Sequence, residues 1–234
     1  MEVCFCPNME AIVIDEDQGS NEEVVEFNQL RSLKLYGLPH LRSFRSNMKK
    51  VPPGTESRHK QILTADETAF EEFLSEELSL FNRMVTFSNL EKLRLSGISE
   101  MKKSSNLEEL FSCEGFTLVR NLELFAVDNL KQIWDEDSRL KPVLEHLETL
   151  SMKYFQASKF PALWHGGIQG RLFHNVQLLT VDQCAISDIP VPANLLQFLN
   201  KLEELEVKYC DSAEIVFDLE GLSVDDGTLS YFPN

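Results

Sequence analysis

The 234-residue chain contains no N-x-[ST] sequon and no phosphate-loop pattern of the G-x-x-x-x-G-K-[ST] kind. No apolar run approaches the ~20 residues of a membrane span. Positive charge is scarce, with 22 Lys and Arg against 38 Asp and Glu and a net charge of −16. Affinity for nucleic acid comes from Lys and Arg on phosphates, so the deficit argues against nucleic acid and anionic membranes as partners. Cysteine is sparse too. The five residues form an odd set without framework spacing, which argues against a disulfide scaffold. The opening "MEVCFCPNMEAIVIDED" has no basic start and turns acidic, unlike a signal peptide. These absences fit a reducing, cytoplasmic setting.

What is present is a repeat. The phrases "FNQLRSLKL" from Phe27, "FSNLEKLRL" from Phe87 and "FHNVQLLTV" from Phe173 are near copies. Aligned on L-x-x-L-x-L-x-x-(C/N or apolar), six units begin at Leu30, Leu90, Val119, Leu147, Val176 and Leu202. Start-to-start distances after residue 90 are 29, 28, 29 and 26. That is the spacing of a leucine-rich repeat. With the first leucine as position one, strands are expected around positions four to six, near 33–35, 93–95, 122–124, 150–152, 179–181 and 205–207. Alternation sends positions four and six to one face and five to the other. Apolar residues at positions nine and twelve (Leu41, Met101 and Leu130 at twelve) turn inward as the chain bends away. One unit cannot bury its face alone, so the units stack. The expected fold is an α/β leucine-rich-repeat solenoid, a curved horseshoe with short parallel strands on its concave face and irregular loops and short helices on its convex face.

The start, "EVCFCPNMEAIV", fits the second half of a unit, with Val3 at position six, Cys6 at nine and Met9 at twelve. The register gives one leucine-rich-repeat domain over 1–234: an incomplete repeat at 1–26, repeats from 27, a loop-plus-helix insertion at about 45–86, repeats over 87–231 and a truncated unit at 232–234. Within the insertion, "RSNMKKVPPGTESRHKQ" reads as a mobile basic loop carrying Arg45, and "LTADETAFEEFLSEELSLF" as a helix. Thr64 and Glu67 have capping-box spacing, and Phe70, Phe73, Leu74, Leu78 and Phe81 share a stripe. Short helices are also expected at "PVLEHL" and "NLLQFL".

Catalytic and metal chemistry finds no footing in this pattern. Cys6, Cys184 and Cys210 all hold position nine, where a small thiol packs inward and donates weakly to a neighbouring carbonyl. The five histidines show no metalloprotease spacing, and His165 in "LWHGGIQG" has neither nucleophile nor orienting partner in view. No enzyme activity, metal or cofactor is expected. The outward positions remain. Position five carries Lys34, Arg94, Glu123, Ser151, Thr180 and Glu206; position seven carries Tyr36, Ser96, Phe125, Lys153, Asp182 and Lys208. Tyr154 and Tyr209 stand beside them. As a set they form the expected protein-binding surface, since solenoids grip partners along the concave side and Tyr, Phe and Arg anchor interfaces.

The phrases "FNQLRSLKLYGLPHLRSF", "LVRNLELFAVDNLKQIW" and "LEELEVKYCDSAEIVF", together with "LWHGG" and the insertion ending "LSLFNRMVTFSNLEKL", resemble the C-terminal repeats of plant disease resistance proteins of the coiled-coil, nucleotide-binding, leucine-rich-repeat class. The resemblance covers nearly the whole chain. It implies an intracellular immune receptor module that recognises a pathogen effector or a guarded host protein and restrains the nucleotide-binding domain of its own parent chain. The sequence departs from that class in having no coiled coil and no phosphate loop. A substrate adaptor of a ubiquitin ligase is the alternative; it would need an F-box-like helical segment, which the sequence does not display.

Overall fold

The computed structural model describes residues 1–15, 24–47, 80–82, 84–98, 116–126, 141–154, 173–184, 199–211, 213–217, 222–225 and 228–231. Strands form where the L-x-L centres lie. In chain order they are β1 (Glu2–Cys4), β2 (Ala11–Asp15), β3 (Val25–Glu26), β4 (Ser32–Leu38), β5 (Ser43–Asn47), β6 (Val85–Thr86), β7 (Lys92–Ile98), β8 (Asn121–Phe125), β9 (Thr149–Lys153), β10 (Leu178–Asp182), β11 (Glu204–Lys208), β12 (Leu222–Asp225) and β13 (Thr228–Tyr231). The single helix among the described residues is α1 (Lys141–His146), at the expected "PVLEHL" with Pro142 in its first turn.

Seven strands make one sheet in the order β1-β4-β7-β8-β9-β10-β11. Every neighbouring pair is parallel, and each holds the register read from the sequence: Val3 faces Leu35, Leu35 faces Leu95, Leu95 faces Leu124, and the row continues through Met152, Val181 and Val207. The chain is a parallel β-solenoid, and all six expected strands are present. β1 adds a seventh, in the register that places Val3 at position six.

Burial follows the same register. Leu33, Leu35, Leu93, Leu95, Leu122, Leu124, Leu150, Met152, Leu179 and Val181 are buried in one continuous core. At position twelve Leu41 is buried and Met9 packs half-buried against the core; Met101 and Leu130 lie outside the described residues. The phenylalanine that opens each repeated phrase also has a task. Phe27, Phe87, Phe116 and Phe173 accept, on their carbonyls, the N–H of the residue three further on, closing a turn just before each strand. Leu144 and Leu199 do the same in their units. The rings of Phe27, Phe44, Phe81, Phe87 and Phe116 pack together with centroids 5.1–5.8 Å apart, in edge-on, tilted and stacked pairs.

Three smaller ladders accompany the sheet: β2 with β5 and β3 with β6, both parallel, and β12 with β13, antiparallel. The first pair revises the expectation that the mobile loop begins at Arg45. Ser43–Asn47 is a strand, and Arg45 is buried, its Nη1 donating to the Met84 carbonyl at 3.0 Å while Asn82 Nδ2 donates to the Arg45 carbonyl at 3.0 Å. A buried cation needs such partners. The expected helix of the insertion lies outside the described residues except at its end. There Leu80 and Phe81 are buried in a turn and a bridge, and the Leu80 carbonyl accepts the Phe44 N–H. The expected helix at "NLLQFL" also lies almost entirely outside them.

Candidate functional site

Each repeat strand ends in an unusual backbone conformation. The residues at position eight (Phe5, Gly37, Gly97, Ala126, Tyr154, Gln183 and Tyr209) all have φ between +50° and +62°. This left-handed bend costs a side-chain-bearing residue about 1–2 kcal/mol, yet it recurs in all seven units. The reason is the ladder. In the bent conformation the N–H of position eight still donates to the position-seven carbonyl of the next strand: Phe5 to Tyr36, Ala126 to Lys153 and Tyr154 to Asp182, each at 2.9 Å, and Gln183 to Lys208 at 2.8 Å. The chain then turns inward at position nine, where Leu38, Ile98 and Cys184 are buried and Cys6 and Cys210 are half-buried. Cys184 Sγ donates there to the Met152 carbonyl of the preceding strand at 3.7 Å, and Cys210 Sγ to that of Val181 at 3.9 Å. The thiols serve as inward-packed weak donors, as the repeat register requires.

The outward positions therefore line up. Position five forms the row Glu2, Lys34, Arg94, Glu123, Ser151, Thr180, Glu206; position seven forms Cys4, Tyr36, Ser96, Phe125, Lys153, Asp182, Lys208. All eleven residues proposed from sequence fall on this one open face. Charges across it are largely satisfied in place. Lys34 meets Glu2 at 3.5 Å, Arg94 meets Glu123 at 3.6 Å, Lys153 meets Asp182 at 3.5 Å and Lys208 meets Glu206 at 2.7 Å. Thr180 Oγ1 also donates to Glu206 at 3.2 Å. The bond from Lys208 holds the Glu206 carboxyl below the usual carboxylate range, and the same bond raises the Lys208 ammonium. At the other end the Cys4 thiol and then Lys34 lower Glu2, while burial and the bond to Glu2 push the thiol up.

Aromatic groups mark two places. Arg94 Cζ sits 4.4 Å from the centroid of the Phe125 ring, Lys153 Nζ 5.5 Å from it, and Tyr154 stacks beside it at 6.2 Å. Phe125 is only 9% exposed. Sequence reasoning treated it as a free surface anchor, but its ring is roofed by two cations. Ser96, Ser151 and Thr180 are likewise buried. Among the described residues, Phe5, Tyr154 and Tyr209 are the well-exposed rings, at 71%, 48% and 74%. The signal for them was the position-eight column, which the leucine spacing does not advertise. Phe5 packs edge-on against Tyr36 at 4.8 Å.

Among the described residues, no group of three His, Cys, Asp or Glu side chains could hold a metal ion, and no helix is long and apolar enough to cross a membrane. An unbroken parallel ladder, a buried L-x-x-L-x-L register, a bend at position eight and a packed thiol at position nine define the class: a leucine-rich-repeat solenoid. Residues 150–231 match the family model described as plant disease resistance protein RPS2-like, leucine-rich repeats. Over that span the chain is similar to leucine-rich repeats of plant disease resistance proteins. No curated protein and no solved structure matches the chain.

Proposed function

We propose that this chain is the protein-recognition module of a plant intracellular immune receptor, acting in the cytoplasm. Its open face engages a pathogen effector or a guarded host protein, and the same repeats hold the nucleotide-binding domain of the parent receptor in its resting state. In this reading the sheet curves as a horseshoe with the open face on the concave side. The observation that carries the reading is the pair of unbroken outward rows at positions five and seven, which offers one surface spanning seven strands. Contacts spread over several strands suit recognition by a few anchors among many weaker positions. The residues proposed to contact partners are Lys34, Tyr36, Arg94, Glu123, Phe125, Ser151, Lys153, Thr180, Asp182, Glu206 and Lys208.

The test is charge reversal at the exposed or half-exposed members, Lys34→Glu and Arg94→Glu, in the receptor that carries these repeats. Folding is checked by circular dichroism. The expected result is altered triggering or loss of restraint in a leaf cell-death assay, with the fold retained. Unchanged recognition and restraint, together with loss of both on substitution of convex-side loops, would place the working surface elsewhere.

A further inference from the structure

The sheet has an open edge at β11. Along the ladder the peptide groups of positions five and seven face the preceding strand, and those of positions four, six and eight face the following one. Lys34 donates to the Met1 carbonyl, Phe5 to that of Tyr36 and Gln183 to that of Lys208. By the same alternation the N–H and C=O groups of Leu205, Val207 and Tyr209 point away from β10, and among the described residues no strand of the sheet lies beyond β11. Leu179 and Val181 are buried on β10, whereas Leu205 and Val207, at the same positions of β11, are only half-buried. A row of unpaired peptide groups beside incompletely covered apolar side chains is a template for another strand. The charges select which strand. On the open face Lys208 Nζ lies 2.7 Å from Glu206 Oε1. Turned end for end about Val207, the stretch Glu206-Val207-Lys208 is complementary to itself.

We propose that β11 pairs antiparallel with β11 of a second copy of this chain, about a two-fold axis at Val207. The contact is isologous. Val207 of each copy donates to and accepts from Val207 of the other, and Leu205 pairs in the same way with Tyr209. Glu206 and Lys208 have their own peptide groups turned toward β10, so across the new pair they form the closer, non-hydrogen-bonded type, with Cα atoms about 4.5 Å apart. Each Lys208 then stands between Glu206 of its own strand and Glu206 of the second copy, and opposite charges facing each other across strands attract. An axis one residue earlier would set Glu206 against its own copy, and one residue later Lys208 against its own; the charges therefore single out Val207. The axis stands perpendicular to the sheet. Leu205 and Val207 of both copies meet on the core side, and the two open faces join into one. The net charge of −16 on each copy opposes the approach, but at physiological ionic strength that repulsion is screened beyond about 8 Å, while paired strands lie about 4.8 Å apart. The proposal goes beyond the reading of the open face and stands or falls apart from it.

The experiment is sedimentation velocity of the 234-residue chain over a range of concentrations. The expected outcome is a reversible change from the 26.8 kDa monomer to a dimer and to nothing larger, because a two-fold contact uses up the edge that makes it. Val207→Pro deletes the central donor without removing a ladder bond within the chain, and should weaken dimerisation about tenfold or more. Lys208→Glu sets carboxylates opposite one another and should weaken it about threefold or more. Adding Glu206→Lys to that variant restores the alternation and should bring the dimer back, a recovery that general damage to the fold would not produce. Far-ultraviolet circular dichroism checks each variant, and should Val207→Pro unfold the chain, the charge exchange decides alone. A chain that stays monomeric at every concentration would overturn the pairing. So would a dimer indifferent to both Val207→Pro and Lys208→Glu, or a double variant that does not recover. Growth past the dimer would overturn it as well, since it requires a contact between unlike edges.

Discussion

Arg94 and Phe125 belong to adjacent strands, and the guanidinium carbon of one lies 4.4 Å from the ring centroid of the other. The contact makes the two positions unequal. Removing the ring takes away buried apolar area and leaves Arg94 and Lys153 without their shared platform. Removing the arginine uncovers a ring that Lys153 still partly roofs. Phe125→Ala is expected to cost about 1.5–3 kcal/mol of stability, and Arg94→Ala about 1 kcal/mol or less, because Arg94 is half-exposed and its cation–π and ion-pair contacts are worth little in solvent. Urea denaturation of the two variants and the double variant gives both numbers and their coupling. Equal costs would show that the ring is not roofed in solution.

Interior and terminal units should differ in their response to the same substitution. Leu124 is fully buried between strands on both sides, whereas Leu205, on the outermost strand β11, is half-buried. Leu124→Ala leaves a cavity and is expected to cost about 2–5 kcal/mol. Leu205→Ala should cost clearly less, since part of its surface is already wet. Thermal unfolding of both variants checks the order, and a larger loss at Leu205 would contradict it.

Position eight offers a backbone test. Gly37 has φ +62°, and a Cβ there would meet the Phe5 ring at 3.1 Å. Gly37→Ala is therefore expected to cost about 1–2 kcal/mol from the left-handed conformation alone, with a steric contribution on top. Phe5→Ala in the same background should recover the steric part and leave the backbone part. A double-mutant cycle by chemical denaturation separates them, and no recovery would mean that the ring yields freely.

The Glu206–Lys208 bond sets a pH window. Glu206 titrates lower in the folded chain than unfolded, so its contribution is present above its ordinary pKa and is lost as pH falls through the depressed folded value. Lys208 titrates higher when folded, so its contribution is present below its ordinary pKa and is lost as pH rises through the raised value. The pair is intact across neutral pH. In Lys208→Met the Glu206 carboxyl carbon, followed by nuclear magnetic resonance, should titrate at higher pH than in the parent chain. An unchanged midpoint would show that the bond does not form in solution.

The leucine spacing made the main sheet legible before any coordinates. Positions four and six carry large apolar residues in unit after unit, and alternation leaves them one place to go. The register of Val3 with Leu35 could be read for the same reason, although its strand has only three residues. Three features escaped. The bend at position eight is invisible because Ala126, Tyr154, Gln183 and Tyr209 are not residues that usually announce positive φ. Arg45 looked like a loop cation because a basic neighbourhood hides the strand that buries it. The roofing of Phe125 depends on which long side chains reach across from Arg94 and Lys153, and spacing along one chain says nothing about that. The register that aligns the two outward rows was legible, because period two assigns a face even when it cannot assign exposure.

Between successive units the stitching runs through peptide groups. The Arg31 carbonyl takes the N–H groups of both Glu91 and Lys92, and Glu91, Arg120, Glu148 and Gln177 each repeat the pattern toward the following unit. None of these bonds consults the identity of the side chain that points outward two or four residues later. A lineage can therefore exchange residues at positions five and seven one at a time, each exchange tried on a scaffold whose spacing stays fixed. The chemistry of such a face can change faster than the shape of the protein.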